Sequence, residues 1–448
     1  MNLFFWLKPG LQIKRWIIIN ITGIILVFLG LNLFVERSIG IETKIGYIIL
    51  LIIFGSALIA LSVIKGLNNL INIITYSRYS KNLGTFRSQN SAYDKNLLSR
   101  GVKVVVIGGG TGLSVLLRGL KKFTSNITAI VTVADDGGGS GKLREDLGML
   151  PPGDIRNCIL ALADTEPIME KLLQYRFEDG TLKNQSFGNL LIAAMAGISD
   201  NFEDAIKRIN DIFAVMGKVL PVTTEDVTLY AKLQNGQIIK GESQIPIKSL
   251  ELGSPIEKVF MKPKKAAALE ESLEAIMNAD VIVLGPGSLY TSILPNLLIE
   301  DIPKAIEKSS AIKVYVSNLM TQPGETDGYS LGDHVKAIQN HINKNVIEYV
   351  YGNNEGIPED ILDKYKEEGA DPVVFKERDR QYFEKNRIKL IQDNFVEIKK
   401  GYLRHNAVKL SEDIINIAIN SKYINDKIKF MELNLIMKRI KSNGMLKD

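Results

Sequence analysis

The 448-residue chain has a single cysteine, Cys158, which excludes an internal disulfide and any zinc site built from several cysteines of one chain. Such sparing use of cysteine suits a reducing compartment. The three histidines, His334, His341 and His405, show no HExxH-type spacing, so a His-built metal centre has no support. Neither a Ser/His/Asp set nor a Cys–His pair can be assembled, and Cys158 lies in an apolar helical pattern that reads as packing. A general base would have to be a carboxylate, with Asp135, Asp136 and Asp154 as candidates. Acid is scarce in the first hundred residues, where Glu36, Glu42 and Asp94 face eleven Lys/Arg, a balance of +8. The whole chain carries +5, so residues 101–448 carry −3 and give nucleic-acid binding no electrostatic support.

What those first hundred residues do have is apolar length. WIIINITGIILVFLGLNLFV (16–35) and IGYIILLIIFGSALIALSV (45–63) contain no charge, and each approaches the length that crosses a hydrocarbon core of about 30 Å. A cleaved signal peptide is the alternative for the first run, but ERSIGIET lacks a small-residue cleavage pattern and a second span follows. Residues 1–64 are therefore expected to form a transmembrane hairpin in the cell membrane. Lys8, Lys14 and Arg15 precede it, and Lys65, Arg78, Lys81 and Arg87 follow it, which places both termini and the main domain in the cytoplasm. Trp6 and Trp16 suit interfacial anchors. Residues 65–100 read as a linker in which LNNLINIITY suits a membrane-surface helix. At the far end, 426–448 is a basic amphipathic tail that packs on the domain or touches the membrane surface.

From Gly101 the texture changes. VKVVVIGG (102–109), ITAIVTVAD (127–135), DVIVLG (280–285), AIKVYVSNL (311–319) and NVIEYVYG (345–352) are short apolar runs separated by helical spacing. Strands alternating with helices predict an α/β fold with a Rossmann-like, doubly wound, mostly parallel sheet over 101–425.

Glycine clusters stand at the ends of these strands. GGGTGLS (108–114) has Gly109, Gly110, Thr111 and Gly112 between a strand and a helix, where backbone N–H groups and the helix N-terminus can receive an anion. It fails the strict G-x-G-x-x-G test at Leu113, and an ordinary βα turn is the alternative. ADDGGGSGKLR follows the second strand and is no P-loop, since Leu143 replaces the required Ser/Thr. Its Asp135 and Asp136 can accept ribose hydroxyls or hold Mg²⁺, with Asp135 the first choice for a metal. Gly138 and Ser140 shape the turn, and Lys142 and Arg144 can face phosphates. In PPGDIRN, Asp154 suits an N-cap, and Arg156 and Asn157 suit ligand contacts. In QSFGN, capping and binding are equally open to Asn189. GPGSLYTS (285–292) offers Gly285, Gly287 and Ser288 as another anion cradle, and TQPGET adds a polar turn with Gln322 and Glu325. Turns at the carboxyl ends of parallel strands converge on one edge, where ligands of open α/β sheets sit.

In this order, IGGGTGLSVLLRGLKKF, ITAIVTVADDGGGSG, PPGDIRN, S-GNL, GKVLPVT, GPGSLYTSILPNLL and TQPGET resemble the YvcK/CofD-like family over about residues 101–415, and its YvcK branch of gluconeogenesis factors most. The hairpin lies outside that unit and makes this a membrane-anchored variant. The resemblance implies binding of a UDP-sugar such as UDP-N-acetylglucosamine. It also implies a regulatory role in cell shape and envelope-precursor synthesis, exerted on an envelope-synthesis enzyme, with a homo-oligomer compatible. It carries over the phosphate loops, Asp135, Asp136 and Asn189, and nominates Tyr365 in KYKEEGADPV and Arg404 in RHNAVKL. The other branch implies an enzyme, which transfers 2-phospholactate from a guanosine diphosphate ester to a deazaflavin with Mg²⁺. Gly139, Gln185, Asn406 and Ala407 depart from the family pattern, and the last removes a phosphorylatable hydroxyl. A nicotinamide oxidoreductase is weaker still, for want of a hydride-transfer site.

Overall fold

A computed structural model describes residues 13–38, 45–81, 96–164 and 167–442, and the chain divides into two compact units, Met1–Ser99 and Arg100–Asp448. In the first unit, helices α1 (Ile13–Ser38) and α2 (Ile45–Lys81) pack against each other. Asn20 donates to Ser62 Oγ across the pair at 2.7 Å, which satisfies two polar groups in an otherwise apolar contact. Both helices are long and apolar enough to cross a membrane, and their most apolar windows are only 11% and 17% buried. The second helix is longer than its apolar run predicts. It continues through LNNLINIITY to Lys81, because no proline interrupts 64–81. Trp6 and residues 82–95 of the expected linker lie outside the described residues.

The second unit is an α/β fold built on a seven-stranded parallel sheet. Its strands are β1 (Val104–Gly108), β2 (Ile127–Val131), β3 (Lys218–Pro221), β7 (Val281–Leu284), β8 (Ile312–Val316), β9 (Tyr349–Asn353) and β10 (Lys389–Asp393). They lie in the order β10-β9-β8-β7-β1-β2-β3, and each neighbouring pair runs parallel. Successive residues of a strand point to opposite faces, and every residue of β1 and β7 is buried. Helices therefore cover both faces, as continuous apolar strands require. Helix α3 (Gly110–Leu120) packs against α5 (Gly153–Leu162) and against α10 (Ala407–Lys422), and α4 (Gly138–Leu147) packs on α6 (Phe187–Gly197).

The chain leaves β1 in one direction through β2 and β3, then returns to β7 on its other side. The crevice above β1 and β7 is thus the point where strand order reverses, the usual ligand position in an open sheet. Between β3 and β7 the chain inserts an antiparallel sheet of β4 (Thr228–Leu233), β5 (Ile238–Lys240) and β6 (Ile256–Lys262), and after β10 a hairpin of β11 (Val396–Lys399) and β12 (Tyr402–His405). None of these five strands was predicted, since they lack the two-faced burial that leaves an uninterrupted apolar run.

Three further helices complete the positioning frame: α7 (Leu331–Ile342), α8 (Glu359–Glu367) and α9 (Glu377–Lys385). The basic segment after residue 426 forms α11 (Lys427–Ser442), which packs on α10 through buried Leu433, Ile436, Met437 and Ile440.

Candidate functional site

The loops after β1 and β7 face each other across a cleft of about 480 Å³. The first supplies Gly109, Gly110, Thr111 and Gly112, the second Pro286, Gly287 and Ser288, and Tyr365 of α8 with Arg404 and His405 of β12 line it as well. Two glycines are required by this geometry. Gly110 opens α3 at φ +69°, a left-handed conformation that other residues adopt with strain. A Cβ on Gly112 would stand 2.8 Å from the Pro286 carbonyl oxygen, so only glycine lets the two loops close to this distance. The segment after Ser288 winds into a buried π-turn, Leu289–Ile293.

Polar side chains hold the second loop. Asn318 Oδ1 accepts from Gly287 N–H at 3.2 Å, and Asn318 Nδ2 donates to Gln322 at 3.3 Å. Gln322 in turn donates to Ser288 Oγ at 2.7 Å. Glu325 accepts from Tyr290 N–H and from the Thr291 hydroxyl, yet burial lifts its pKa to about 7. The residues of NLMTQPGET therefore tether the cradle, a role that a surface turn would not have.

Tyr365 and Arg404 meet on the same cleft from elements far apart in sequence. The Tyr365 hydroxyl accepts from Leu403 N–H at 3.1 Å, which fixes α8 against β12 and orients the ring. Arg404 is exposed, donates to the Leu403 carbonyl at 3.2 Å and lies over the Tyr402 ring at 5.8 Å. His405 Nε2 pairs with the Ser317 carbonyl at 3.0 Å, and burial pushes its pKa down to about 4, so it lines the cleft as a neutral ring.

The other nominated residues gather in a separate polar cluster at the end of β2. Asp154 does not cap its own helix. Its carboxylate accepts the Gly110 N–H of α3, and burial together with the charge of Asp135 raises its pKa to about 6. Asp135 accepts Gly137 N–H at 2.9 Å, and burial raises its pKa too. Asn189 caps nothing with its side chain. Its Oδ1 accepts from Arg156 at 2.7 Å, while Ser186 is the N-cap of α6 and also accepts from Arg156. Asn157 accepts from Arg156 at 3.0 Å, and Ser140 lies 3.5 Å from the Asn189 amide. Gly138 sits at φ +48° where α4 begins.

Two expectations need correction. Asp136 is committed to the inserted segment, where its carboxylate accepts the N–H groups of Glu242 at 3.1 Å and Ser243 at 2.9 Å. Arg144 is paired with Asp226 and the Val227 carbonyl, so it holds the same insert and does not face the cleft. Lys142 is exposed. The turn that Asp136 holds brings in Glu242, which the sequence reading did not single out. Burial first, then Asp135, Glu325 and Asp154, lift the Glu242 pKa to about 8. Among the described residues no three His, Cys, Asp or Glu groups stand close enough to hold a metal ion. With Asp136 taken by backbone amides, this donor set does not fit an Mg²⁺ held by the protein alone.

The site is thus a cleft with two glycine-rich backbone loops at one end, an aromatic ring and a guanidinium among its other walls, and proton-favouring carboxylates behind the first loop. Residues 104–396 match the family described as 2-phospho-L-lactate transferase CofD. A Clostridium acetobutylicum relative is 47% identical over 448 residues, covering 100% of this chain and 98% of its own. The Bacillus subtilis "Gluconeogenesis factor" is 46% identical over 316 residues, 70% of this chain and 98% of its own. A crystal structure of a UPF0052 family member from Bacillus halodurans superimposes with a TM-score of 0.66 at 49% identity, covering 69% of this chain and 98% of that one. Sheet, loops and relatives agree: the chain belongs to the CofD family, among its gluconeogenesis-factor (YvcK-like) members.

Proposed function

We propose that the chain is a membrane-anchored regulator that binds a UDP-sugar, such as UDP-N-acetylglucosamine, on the cytoplasmic side and supports cell shape and envelope-precursor synthesis. The observation that carries this reading is a single cleft lined by the Gly109–Gly112 and Pro286–Ser288 loops together with Tyr365 and Arg404. The loops suit a diphosphate, the tyrosine ring a flat base, and the arginine a phosphate or carbonyl edge. A volume of about 480 Å³ lies within the range of small-molecule sites. Isothermal calorimetry of the full chain in detergent with UDP-N-acetylglucosamine tests it. Saturable heat that Tyr365→Ala and Arg404→Ala both weaken is expected, and absence of heat with UDP-sugars refutes it.

The anchor is α1 and α2, two apolar helices flanked by basic residues. Carbonate-resistant pelleting of the full chain with membranes is expected; recovery in the soluble fraction refutes it. One observation favours a second reading, transfer of a 2-phospholactyl group to a deazaflavin. The Asp135 and Asp154 carboxylates stand beside the first glycine loop, where an acceptor hydroxyl would need a base. Mass spectrometry of the deazaflavin after incubation with donor and Mg²⁺ decides it.

A further inference from the structure

Helix α11 has two apolar faces. Leu433, Ile436, Met437 and Ile440 are buried against the domain. Nearly opposite on the helical wheel, Ile428, Met431 and Leu435 are 80%, 59% and 57% exposed. A spacing of three and four residues makes these three one stripe at the helical repeat. A helix that serves packing alone needs no second stripe, and large apolar residues in a row on a soluble surface mark a contact.

The charges say what kind of contact. In KIKFMELNLIMKRIKS, Lys427, Lys429, Lys438, Arg439 and Lys441 oppose Glu432, in a unit whose residues from 101 onward are net negative. Glu432 is bound by Arg100 and Lys429, and Lys441 is bound to Glu412. Lys427 and Lys438, both exposed, are left with no acid partner among the described residues, and they flank the stripe. Bulky apolar side chains bordered by unpaired lysines suit an anionic bilayer surface. The apolar groups enter the headgroup boundary while the ammonium groups meet lipid phosphates.

We propose that α11 is a membrane-surface helix, which docks the α/β domain on an anionic bilayer through Ile428, Met431 and Leu435. A single stripe of this size binds weakly by itself, so the docking rests on the anchored reading, in which the hairpin supplies the high local concentration.

The test places an environment-sensitive fluorophore at Met431→Cys in the full chain, where the native Cys158 is buried and shielded from the label. The labelled chain is reconstituted into vesicles containing phosphatidylglycerol or phosphatidylcholine alone. A blue shift, and quenching by a spin-labelled lipid that removes about half the emission or more in phosphatidylglycerol, is expected. Lys427→Gln with Lys438→Gln should then lower the docking equilibrium about 30-fold, at about 1 kcal/mol per lysine. A second label at Phe28→Cys, on an exposed position of α1, reports the anchor separately. Quenching at 28 without quenching at 431 overturns the docking and leaves the anchor intact; quenching at neither site overturns both. A blue shift at 431 that ignores lipid composition and quencher means that protein covers the stripe, and it also overturns the proposal.

Discussion

Replacing Asp136 decides between two roles for a residue that sequence reasoning placed on the ligand. Its carboxylate accepts two backbone N–H bonds, 3.1 Å from Glu242 and 2.9 Å from Ser243, and so holds the turn that carries Glu242 into the site. A hydrogen bond to a charged group contributes about 1.5–3 kcal/mol, and the low end applies to a partly buried carboxylate. Asp136→Ala should therefore free the turn by about 3 kcal/mol, which is about 150-fold in a local opening equilibrium. Hydrogen exchange at the Glu242 and Ser243 amides should accelerate by that factor, and the melting temperature should fall by about 4 °C for a unit of this length. Asp136→Asn keeps an acceptor without the charge and should accelerate exchange by only about tenfold. UDP-sugar binding should survive both changes apart from losses that track Glu242. Unchanged exchange at 242 and 243, with the binding heat abolished, would refute the latch and restore Asp136 to the ligand.

Three other perturbations follow from the same geometry. Gly112→Ala puts a Cβ 2.8 Å from the Pro286 oxygen, and overpacking of about 1–3 kcal/mol should weaken UDP-sugar binding about tenfold by calorimetry. Gly197→Ala, which meets nothing within 4 Å, should leave binding alone. Asp154 accepts a cradle N–H and titrates at about 6, so affinity for an anionic diphosphate should fall as pH rises from 5 to 7.5, by at most about tenfold per unit. Asp154→Asn should flatten that profile; an unaltered slope would remove Asp154 from it. Glu242 keeps its proton to about pH 8 when folded, against 4.5 when unfolded, so its stabilisation is full below 4.5 and is lost as pH rises toward 8. Glu242→Gln has no such loss, and its melting-temperature advantage over the parent should grow from pH 5 to pH 9.

Central strands were legible because burial on both faces leaves an uninterrupted apolar run, as in Val104–Ile107 and Val281–Leu284. Edge strand β10, with Lys389 and Asp393 at its ends, and the insert strand β4, buried on alternate residues, carry no such run and were missed. The glycine loops were legible for a related reason, since glycine at a strand end records a backbone requirement. The roles of Asp136 and Arg144 were not. Their partners lie 106, 107 and 82 residues away in an insert without a motif, and an acid beside glycines reads alike whether it grips a ligand or a turn. Glu242 was hidden for the same reason, because only the latch brings it to the cluster.

The close approach of Gly112 to Pro286 also bears on the order of events during synthesis. The two loops are encoded 174 residues apart, and they meet only after β7 has paired with β1. A chain still on the ribosome with β7 unmade has the first glycine loop but no opposing wall, and so has no cleft. A molecule that binds between the loops would stabilise only chains in which β7 has paired with β1, by an amount that grows with the logarithm of its concentration over Kd. The cleft between the loops thus reports one non-local strand pairing, β7 with β1.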